Sequence, residues 1–247
     1  MNKPMKMNPK THRGFTLVEL LVVIVIIAAL AGLTAPMVIR QRKKADQTEA
    51  VSNARQIGLA MIEFENEYGS FPEGELGATI NANTGSDLAP SSITTANDAF
   101  RQLIAAEIAS SETMFYCKTG YSTKKPDNVF STASNALAKG EVGYGYIMNG
   151  ATDAFSAAGN PGRALVAAPL QYENGAITNG KFDREIYDGK AVVLRMDNSV
   201  TSIPVDKIGD AIVGSDGGKT VKLLDGKNKD TVWGENGDPQ MKAPLPK

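Results

Sequence analysis

An uninterrupted apolar segment near the N-terminus limits the folds open to this chain more than any other feature. It runs from Phe15 to Ile39 and contains one charged residue, Glu19. Roughly 20 apolar residues in a helix are enough to cross a bilayer. This run is also longer than the apolar core of an ordinary secretory signal, which has about 7–15 residues. The sequence therefore predicts a transmembrane or similarly enclosed helix over residues 15–39.

Composition excludes several kinds of chemistry for the rest of the chain. The 247 residues carry a net charge of −1, which gives no support to electrostatic binding of nucleic acid. The only histidine, His12, lies in the polar, basic segment 1–14 that precedes the apolar run, and the only cysteine is Cys117. If that segment is removed, a Ser-His-Asp triad or a histidine-ligated metal is impossible, and one cysteine forms no intrachain disulfide. We expect no enzyme and no catalytic residue.

An amphipathic pattern follows the apolar run. After a basic cluster at 40–44, apolar residues recur at alternating spacings of four and three, which is helical periodicity: Ala50, Ala54, Ile57, Met61, Phe64 and Tyr68. Gly69 and Pro72 then favour an end to the helix. We predict that the helix continues over 40–69, about 80 Å in all from Phe15 to Tyr68, with its stripe packed on a sheet. A coiled-coil dimer is the alternative.

The remainder, residues 70–241, is predicted to form a loop-rich α+β domain. Residues 70–97 read as a loop, and Asn97-Asp98 offers an N-cap for a short helix over 98–109. Four strands are predicted, the last two joined by a hairpin turn at Asp197-Asn198: 142–148, 163–168, 191–196 and 199–205. An antiparallel sheet would bury the helical stripe. The tail, 242–247, is expected to be disordered.

The junction between the basic and the apolar segments carries a family resemblance. The sequence RGFTLVELLVVIVIIAALAGLTAPMVI closely resembles the N-terminal signal of type IV prepilins and type II secretion pseudopilins. The resemblance implies that residues 1–14 are a class III leader peptide, which a prepilin peptidase cuts off between Gly14 and Phe15. It also implies N-methylation of Phe15 and a pilin-like fold, in which a long helix packs on a small antiparallel sheet.

Three residues of the apolar run have an expected role in assembly. A carboxylate inside hydrocarbon is costly and normally has a partner, and cleavage would place an α-amino group at Phe15, near Glu19. That amine, or the amine of a neighbouring subunit, would neutralise Glu19 and set the axial register; the alternative is an ordinary interfacial acid. Gly32 and Pro36 weaken the helix. The resemblance implies that the helix bends or unwinds at these residues during polymerisation. A kink without a role in assembly is the alternative.

The resemblance implies a structural subunit of a pilus-like filament. We predict a type II secretion pseudopilin, because the chain lacks a C-terminal cysteine pair and carries FENEYGSFP after the helix. The alternatives are a true type IV pilin or minor pilin, or a monomeric single-pass membrane protein whose outer domain binds a ligand. The expected partners are further copies of the chain, other pilin-like subunits, the prepilin peptidase and an inner-membrane assembly platform. The expected location is the bacterial inner membrane, with the domain outside the cytoplasm, and then a periplasmic or surface filament.

A C-terminal group of oxygen-bearing side chains is a weak candidate for calcium. Calcium prefers six to eight oxygen ligands, and related pseudopilins often hold it in a C-terminal loop. The candidate ligands surround Trp233: Asp216, Asp225, Asn228, Asp230, Glu235 and Asp238. The spacing matches no EF-hand loop, so solvated loop acids are the favoured interpretation. No other cofactor is expected.

Overall fold

The computed structural model describes residues 15–156, 158–216, 219–226 and 231–247. Its contacts divide the chain into two units, one ending at Arg42 and the other spanning Lys43–Lys247. The first helix, α1, spans Leu17–Tyr68, and the remaining elements belong to the second unit. A long helix followed by a small antiparallel sheet gives an α+β architecture, which confirms the predicted fold class.

The two parts of α1 differ in what surrounds their side chains. Every residue from Leu17 to Gln41 is exposed. In the second unit, the helix buries one stripe, which contains five of the six predicted residues together with Gly58 and Ala60: Ala50, Ala54, Ile57, Met61 and Phe64. Tyr68, the sixth, is half-buried and stacks on Phe64 with ring centroids 4.8 Å apart. A spacing of four and three residues returns side chains to one face of a helix, so this stripe can enter the core.

The centre of the domain is a five-stranded antiparallel sheet in the order β6-β5-β2-β1-β9. Its strands are β1 (Gly145–Asn149), β2 (Ala164–Ala168), β5 (Lys190–Arg195), β6 (Val200–Pro204) and β9 (Pro239–Lys242). The first four correspond to the four predicted strands. β5 and β6 form the predicted hairpin, and Asn198 in its turn has a φ of 61°, which asparagine tolerates better than most residues.

Two smaller antiparallel pairs accompany the sheet. β3 (Leu170–Glu173) pairs with β4 (Ala176–Phe182), and β7 (Ile212–Asp216) pairs with β8 (Lys219–Lys222). The strands of these two pairs, and β9, are not among the strands predicted from the sequence. β4 has a mostly exposed or half-buried pattern that ends in buried Phe182, so it lacks the regular alternation by which a half-buried strand is recognised.

Two short α-helices and a 3₁₀ helix (Glu112–Phe115) precede the sheet. α2 (Leu76–Thr84) lies within the segment predicted as a loop, so that part of the prediction is wrong. α3 (Ala96–Ala105) begins two residues before the predicted helix, because Thr95 rather than Asn97-Asp98 supplies the N-cap. The Thr95 side chain accepts a hydrogen bond from the Asp98 backbone N–H, and the Asp98 carboxylate accepts one from the Thr95 N–H at 2.8 Å. This reciprocal capping box fixes where α3 starts.

The second part of α1 packs against the sheet and also makes hydrogen bonds with it. The Tyr144 hydroxyl donates to the Ala50 carbonyl at 2.7 Å, and Gln47 Nε2 donates to Ser202 Oγ, also at 2.7 Å. A Cβ placed on Gly58 would collide with the side chains of Asn198 and Leu194. The helix therefore approaches the β5–β6 hairpin so closely that a larger residue at this position would displace those side chains.

The C-terminal tail is ordered, in contrast to the prediction for 242–247. Lys242 belongs to β9, and the Ala243 carbonyl accepts a hydrogen bond from the Ala96 N–H at 3.0 Å. The Leu245 N–H donates to Asn97 Oδ1 at 2.8 Å, and its carbonyl accepts from the Gly140 N–H at 3.0 Å. The composition of the tail suggested disorder, but its backbone groups find partners on α3 and on the loop before β1.

Candidate processing and assembly segment

The first residues of α1 form a capping box built around Glu19. Thr16 donates to Glu19 Oε2 through its backbone N–H at 2.9 Å and through its hydroxyl at 2.7 Å. The Glu19 N–H in turn donates to Thr16 Oγ1 at 3.2 Å. The carboxylate therefore satisfies an N–H at the helix start that has no intrahelical acceptor, and it lies at the positive end of the helix dipole.

Glu19 therefore also caps the helix, a role that was not predicted from the sequence. The pattern Thr-x-x-Glu ahead of an apolar run is itself the capping-box signal, and it is present in the sequence as Thr16 to Glu19. All of the hydrogen bonds from Thr16 use Oε2, so Oε1 can still accept from a second donor. Phe15, the residue just before the cap, is 79% exposed. Gly14, the other residue at the predicted cleavage point, lies outside the described residues.

The apolar run beyond the cap is a bare hydrophobic surface. Large aliphatic side chains are exposed along its whole length, including Val18, Ile24, Leu30 and Ile39. Within the described residues, α1 is the one helix long and apolar enough to cross a membrane, and none of its most apolar stretch is buried in the protein. A surface of this kind needs either lipid or other protein around it. The segment is therefore consistent with a membrane-anchored protein.

Gly32 and Pro36 lie four residues apart within α1, and the helix is continuous through both. Proline has no N–H to donate, so the acceptor it leaves without a helical bond is the carbonyl of Gly32, four residues earlier. Close by, the Thr34 hydroxyl donates to the Leu30 carbonyl at 3.0 Å. The two predicted assembly residues thus mark one weak turn of the helix. Their role in polymerisation stays a prediction.

The calcium candidates are only partly within the described residues. Asn228 and Asp230 lie outside them, and the side chain of Asp216 is likewise not described. Asp225 Oδ2 accepts from the Lys222 N–H at 2.9 Å, while Asp238 Oδ2 accepts from Gln240 Nε2 at 3.2 Å. Glu235 also has an interaction within the protein. Calcium binding by this loop therefore stays a prediction.

A different acidic cluster lies beside α3. The carboxylate oxygens of Glu112, Asp127 and Glu141 lie within 4.8 Å of one another, the one such group among the residues that the structure describes. Burial raises the pKa of Glu112, although its oxygens accept backbone hydrogen bonds from Leu137 at 2.6 Å and Asn128 at 2.8 Å. The Lys124 ammonium lies 2.5 Å from Glu141 and 3.1 Å from Asp127. Lys124 thus pairs with two of the three acids. Glu112 begins the 3₁₀ helix Glu112–Phe115, while Asp127 and Glu141 lie in loops, so no sequence motif predicts the cluster.

Comparison with known proteins agrees with this geometry. A family model described as the prokaryotic N-terminal methylation motif matches residues 9–35, which include the cap and most of the bare apolar run. A helix of this type followed by an antiparallel sheet is a pilin-like architecture. The match supports the resemblance drawn from the junction at Gly14 and Phe15.

Curated proteins share sequence similarity with part of the chain. The chain is 39% identical over 77 residues to type II secretion system core protein G of Dickeya chrysanthemi, covering 30% of this chain and 50% of that protein. It is 44% identical over 59 residues to core protein G of Escherichia coli strain K12, covering 23% and 41%. It is also 35% identical over 78 residues to the type IV major pilin protein PilA of Myxococcus xanthus, covering 28% and 35%.

These matches cover only part of each protein. The chain spans about half the length of the curated relatives it matches first. A longer alignment, to core protein G of Klebsiella pneumoniae, covers 53% of this chain and 79% of that protein at 26% identity. No solved structure matches the chain. At 35% identity or more, the likeness to type II secretion core protein G therefore covers 23–32% of this chain.

Proposed function

We propose that the chain is a structural subunit of a pilus-like filament, namely a type II secretion pseudopilin, rather than an enzyme. In this proposal, prepilin peptidase cuts between Gly14 and Phe15 and methylates Phe15, and copies then polymerise through α1. The observation that carries the proposal is the bare apolar run that begins directly after the Thr16–Glu19 cap. Lipid would cover that run before assembly, and the helices of other subunits would cover it afterwards.

Glu19 has two partners in this proposal. Its Oε2 stays with Thr16 and holds the first turn of the helix, while Oε1 accepts from an α-amino group created by cleavage. An amine from a neighbouring copy would fix the axial stagger, because only one stagger brings the two charges together. An ion pair of this kind matters most in a dry surrounding, where an unpaired carboxylate is costly.

The proposed location is the inner membrane, with the domain on the non-cytoplasmic side. Other pilin-like subunits, the peptidase and an assembly platform would be the further partners. Removal of the leader takes away four basic residues and leaves 22 basic against 27 acidic, so the domain exposed on the filament would be acidic.

Calcium in the loop around Trp233 remains part of the proposal as a weak site. An unchanged melting temperature with EDTA and with added calcium would remove it.

Two other functions stay open to test. The similarity to a Myxococcus major pilin favours a true type IV pilin as the second candidate. The third candidate is a monomeric single-pass membrane protein. Its apolar run would stay in lipid, and the capping box at Glu19 would need no further partner.

Intact-mass spectrometry of the protein extracted from its native membrane tests the proposal. We expect the mass of residues 15–247 plus one methyl group, with the methyl on Phe15 after fragmentation. Sedimentation of sheared material should also recover the chain in filaments. A chain that keeps residues 1–14 in a host with an active prepilin peptidase would contradict the proposal. A processed chain found on surface pili rather than in the periplasm would favour the second candidate.

A further inference from the structure

The outward face of α1 in the second unit carries charges that nothing in the described structure neutralises. Five exposed residues are involved: Lys44, Glu49, Arg55, Glu63 and Glu67. None of them makes a salt bridge with any residue that the structure describes, whereas Asp46 on the same helix pairs with Lys118 at 2.9 Å. None of the three acids has a lysine or arginine three or four residues away on the helix. Glu63 and Glu67 instead face each other as like charges at that spacing, which is unfavourable.

The five charges are sorted by sign on the two sides of this face. At 100° per residue, Lys44 and Arg55 lie within about 20° of each other around the helix axis. Glu49, Glu63 and Glu67 lie within about 40° of one another, and the two groups are separated by roughly 120°. We name them the basic flank (Lys44, Arg55) and the acidic flank (Glu49, Glu63, Glu67). Both flanks point away from the buried stripe.

An exposed apolar side chain lies between the two flanks. Leu59 is 61% exposed, although its neighbours Gly58 and Ala60 are buried against the domain. Glu65 is half-buried at the margin of the face and belongs to neither flank. An apolar residue bordered by complementary charges is the arrangement found at protein interfaces, where apolar contact supplies affinity and charge sets the orientation.

We propose that the basic flank of one copy docks on the acidic flank of the next copy, with the two helices parallel. The inference deepens the proposed function and rests on it, because both helices must enter the same membrane from the same side. The charge pattern also sets the stagger. Lys44 precedes Glu49 by five residues and Arg55 precedes Glu63 by eight, so one axial shift of roughly 10 Å brings both pairs within reach.

This geometry explains why a second copy is the occupant rather than an unrelated protein. Each copy presents both halves of the contact, so the surface is complementary to itself after a shift. A shifted contact between different surfaces does not close on itself and generates a helical filament. A parallel symmetric dimer would also bring opposite flanks together, but it would use both flanks of each copy at once, so it would give dimers and no longer species.

Charge reversal on each flank tests the inference in the full chain in its own membrane. One variant carries Lys44→Glu and Arg55→Glu, a second carries Glu49→Lys and Glu63→Lys, and a third carries all four changes. We expect both two-residue variants to be processed normally but to assemble roughly tenfold less than the wild type. The four-residue variant should recover assembly, because complementarity returns with the signs exchanged.

A matched control separates docking from net charge. Asp87→Lys with Glu173→Lys changes the charge as much as the acidic-flank variant does, at exposed positions away from α1. This control should assemble like the wild type. Assembly of the two-residue variants at the wild-type level would overturn the inference and leave the proposed function standing. Failure of the four-residue variant to exceed the two-residue variants would also overturn it. A wild-type chain that is never processed or assembled would reject both.

Cysteine cross-linking gives an independent measurement without charge reversal. With Arg55→Cys and Glu63→Cys in one chain, mild oxidation in the membrane should give a ladder of dimers, trimers and longer species. With Lys44→Cys and Arg55→Cys, both on the basic flank, no ladder should form. The native Cys117 is buried and does not interfere. Equal ladders from the two pairs, or none from the first in assembled filaments, would contradict flank-to-flank docking.

Discussion

The two parts of α1 share one helical backbone and differ in almost everything around it. Up to Ile39 the large apolar side chains are exposed, whereas Ile57, Met61 and Phe64 in the second part are fully buried. The same contrast holds for two glycines. A Cβ on Gly32 would meet nothing within 4 Å, while one on Gly58 would collide with Asn198. The chain is therefore helical in both parts, but the domain supplies a packing partner only for the second. The first part must find its partner in lipid or in other copies.

The largest expected effect on stability is the loss of a buried side chain from the second part. Phe64→Ala should lower the free energy of unfolding of the domain by about 3–5 kcal/mol, because the ring is fully buried and a cavity would remain. Thermal unfolding of the full chain in detergent measures the change. The matched variant Ile26→Ala, in the first part, should leave the melting temperature unchanged. Equal shifts for both variants would remove the contrast between the two parts.

A charge in the first part should act on insertion instead of on domain stability. Ile26→Lys places an ammonium within the apolar run, which costs about 2.5–3.5 kcal/mol on insertion scales. We expect a clear loss of the protein from the membrane fraction. Asn66→Lys, at an exposed position of the second part, is the control and should insert normally. Normal insertion of Ile26→Lys would mean that this stretch is not enclosed in hydrocarbon.

The two glycines give a smaller and sharper comparison. Gly58→Val should destabilise the domain by about 1–3 kcal/mol, because the added methyl groups would displace the Asn198 and Leu194 side chains that pack against this position. Gly32→Val adds the same side chain where the structure has open space, so the melting temperature should not fall. Thermal unfolding in detergent measures both. A fall with Gly32→Val as large as with Gly58→Val would contradict the difference in packing.

The smallest expected effect concerns chemical reactivity alone. Burial raises the pKa of the Cys117 thiol to about 12, so the thiol stays protonated at pH 8. Raising the pH from 7 to 9 should therefore leave its alkylation very slow until the protein unfolds. In a Val25→Cys variant solubilised in detergent, the added thiol should be labelled readily under the same conditions. Rapid labelling of Cys117 in the folded wild type would show that the domain opens easily around this residue.

The sequence predicted the features that follow from local periodicity. The stripe from Ala50 to Phe64 and the hairpin turn at Asp197-Asn198 are both present in the structure, because 3.6-residue spacing and turn-forming residues act over short distances. The resemblance at Gly14 and Phe15 predicted the methylation motif that the family model matches, since a local motif can be read without knowledge of packing.

Features that depend on distant partners were not predictable in this way. The tail after β9 reads as disordered until Asn97 and Gly140 are found beside Leu245. From the sequence alone, Gly58 is expected only to weaken the helix. The structure shows that the β5–β6 hairpin packs against it. The cap at Thr16 is a different case, because its Thr-x-x-Glu signal is present in the sequence and is sufficient to predict it. The charged flanks also needed the structure, which shows which side of the helix faces the domain.

The central claim is that other copies of the chain cover the apolar part of α1 after assembly. A photo-activatable side chain placed at Val25 in cells tests this claim most directly. The account predicts a ladder of cross-linked homo-oligomers on illumination, together with loss of the ladder when Gly14 is changed so that the leader is retained. Cross-links to lipid alone, with no homo-oligomers in cells that process the chain normally, would contradict it.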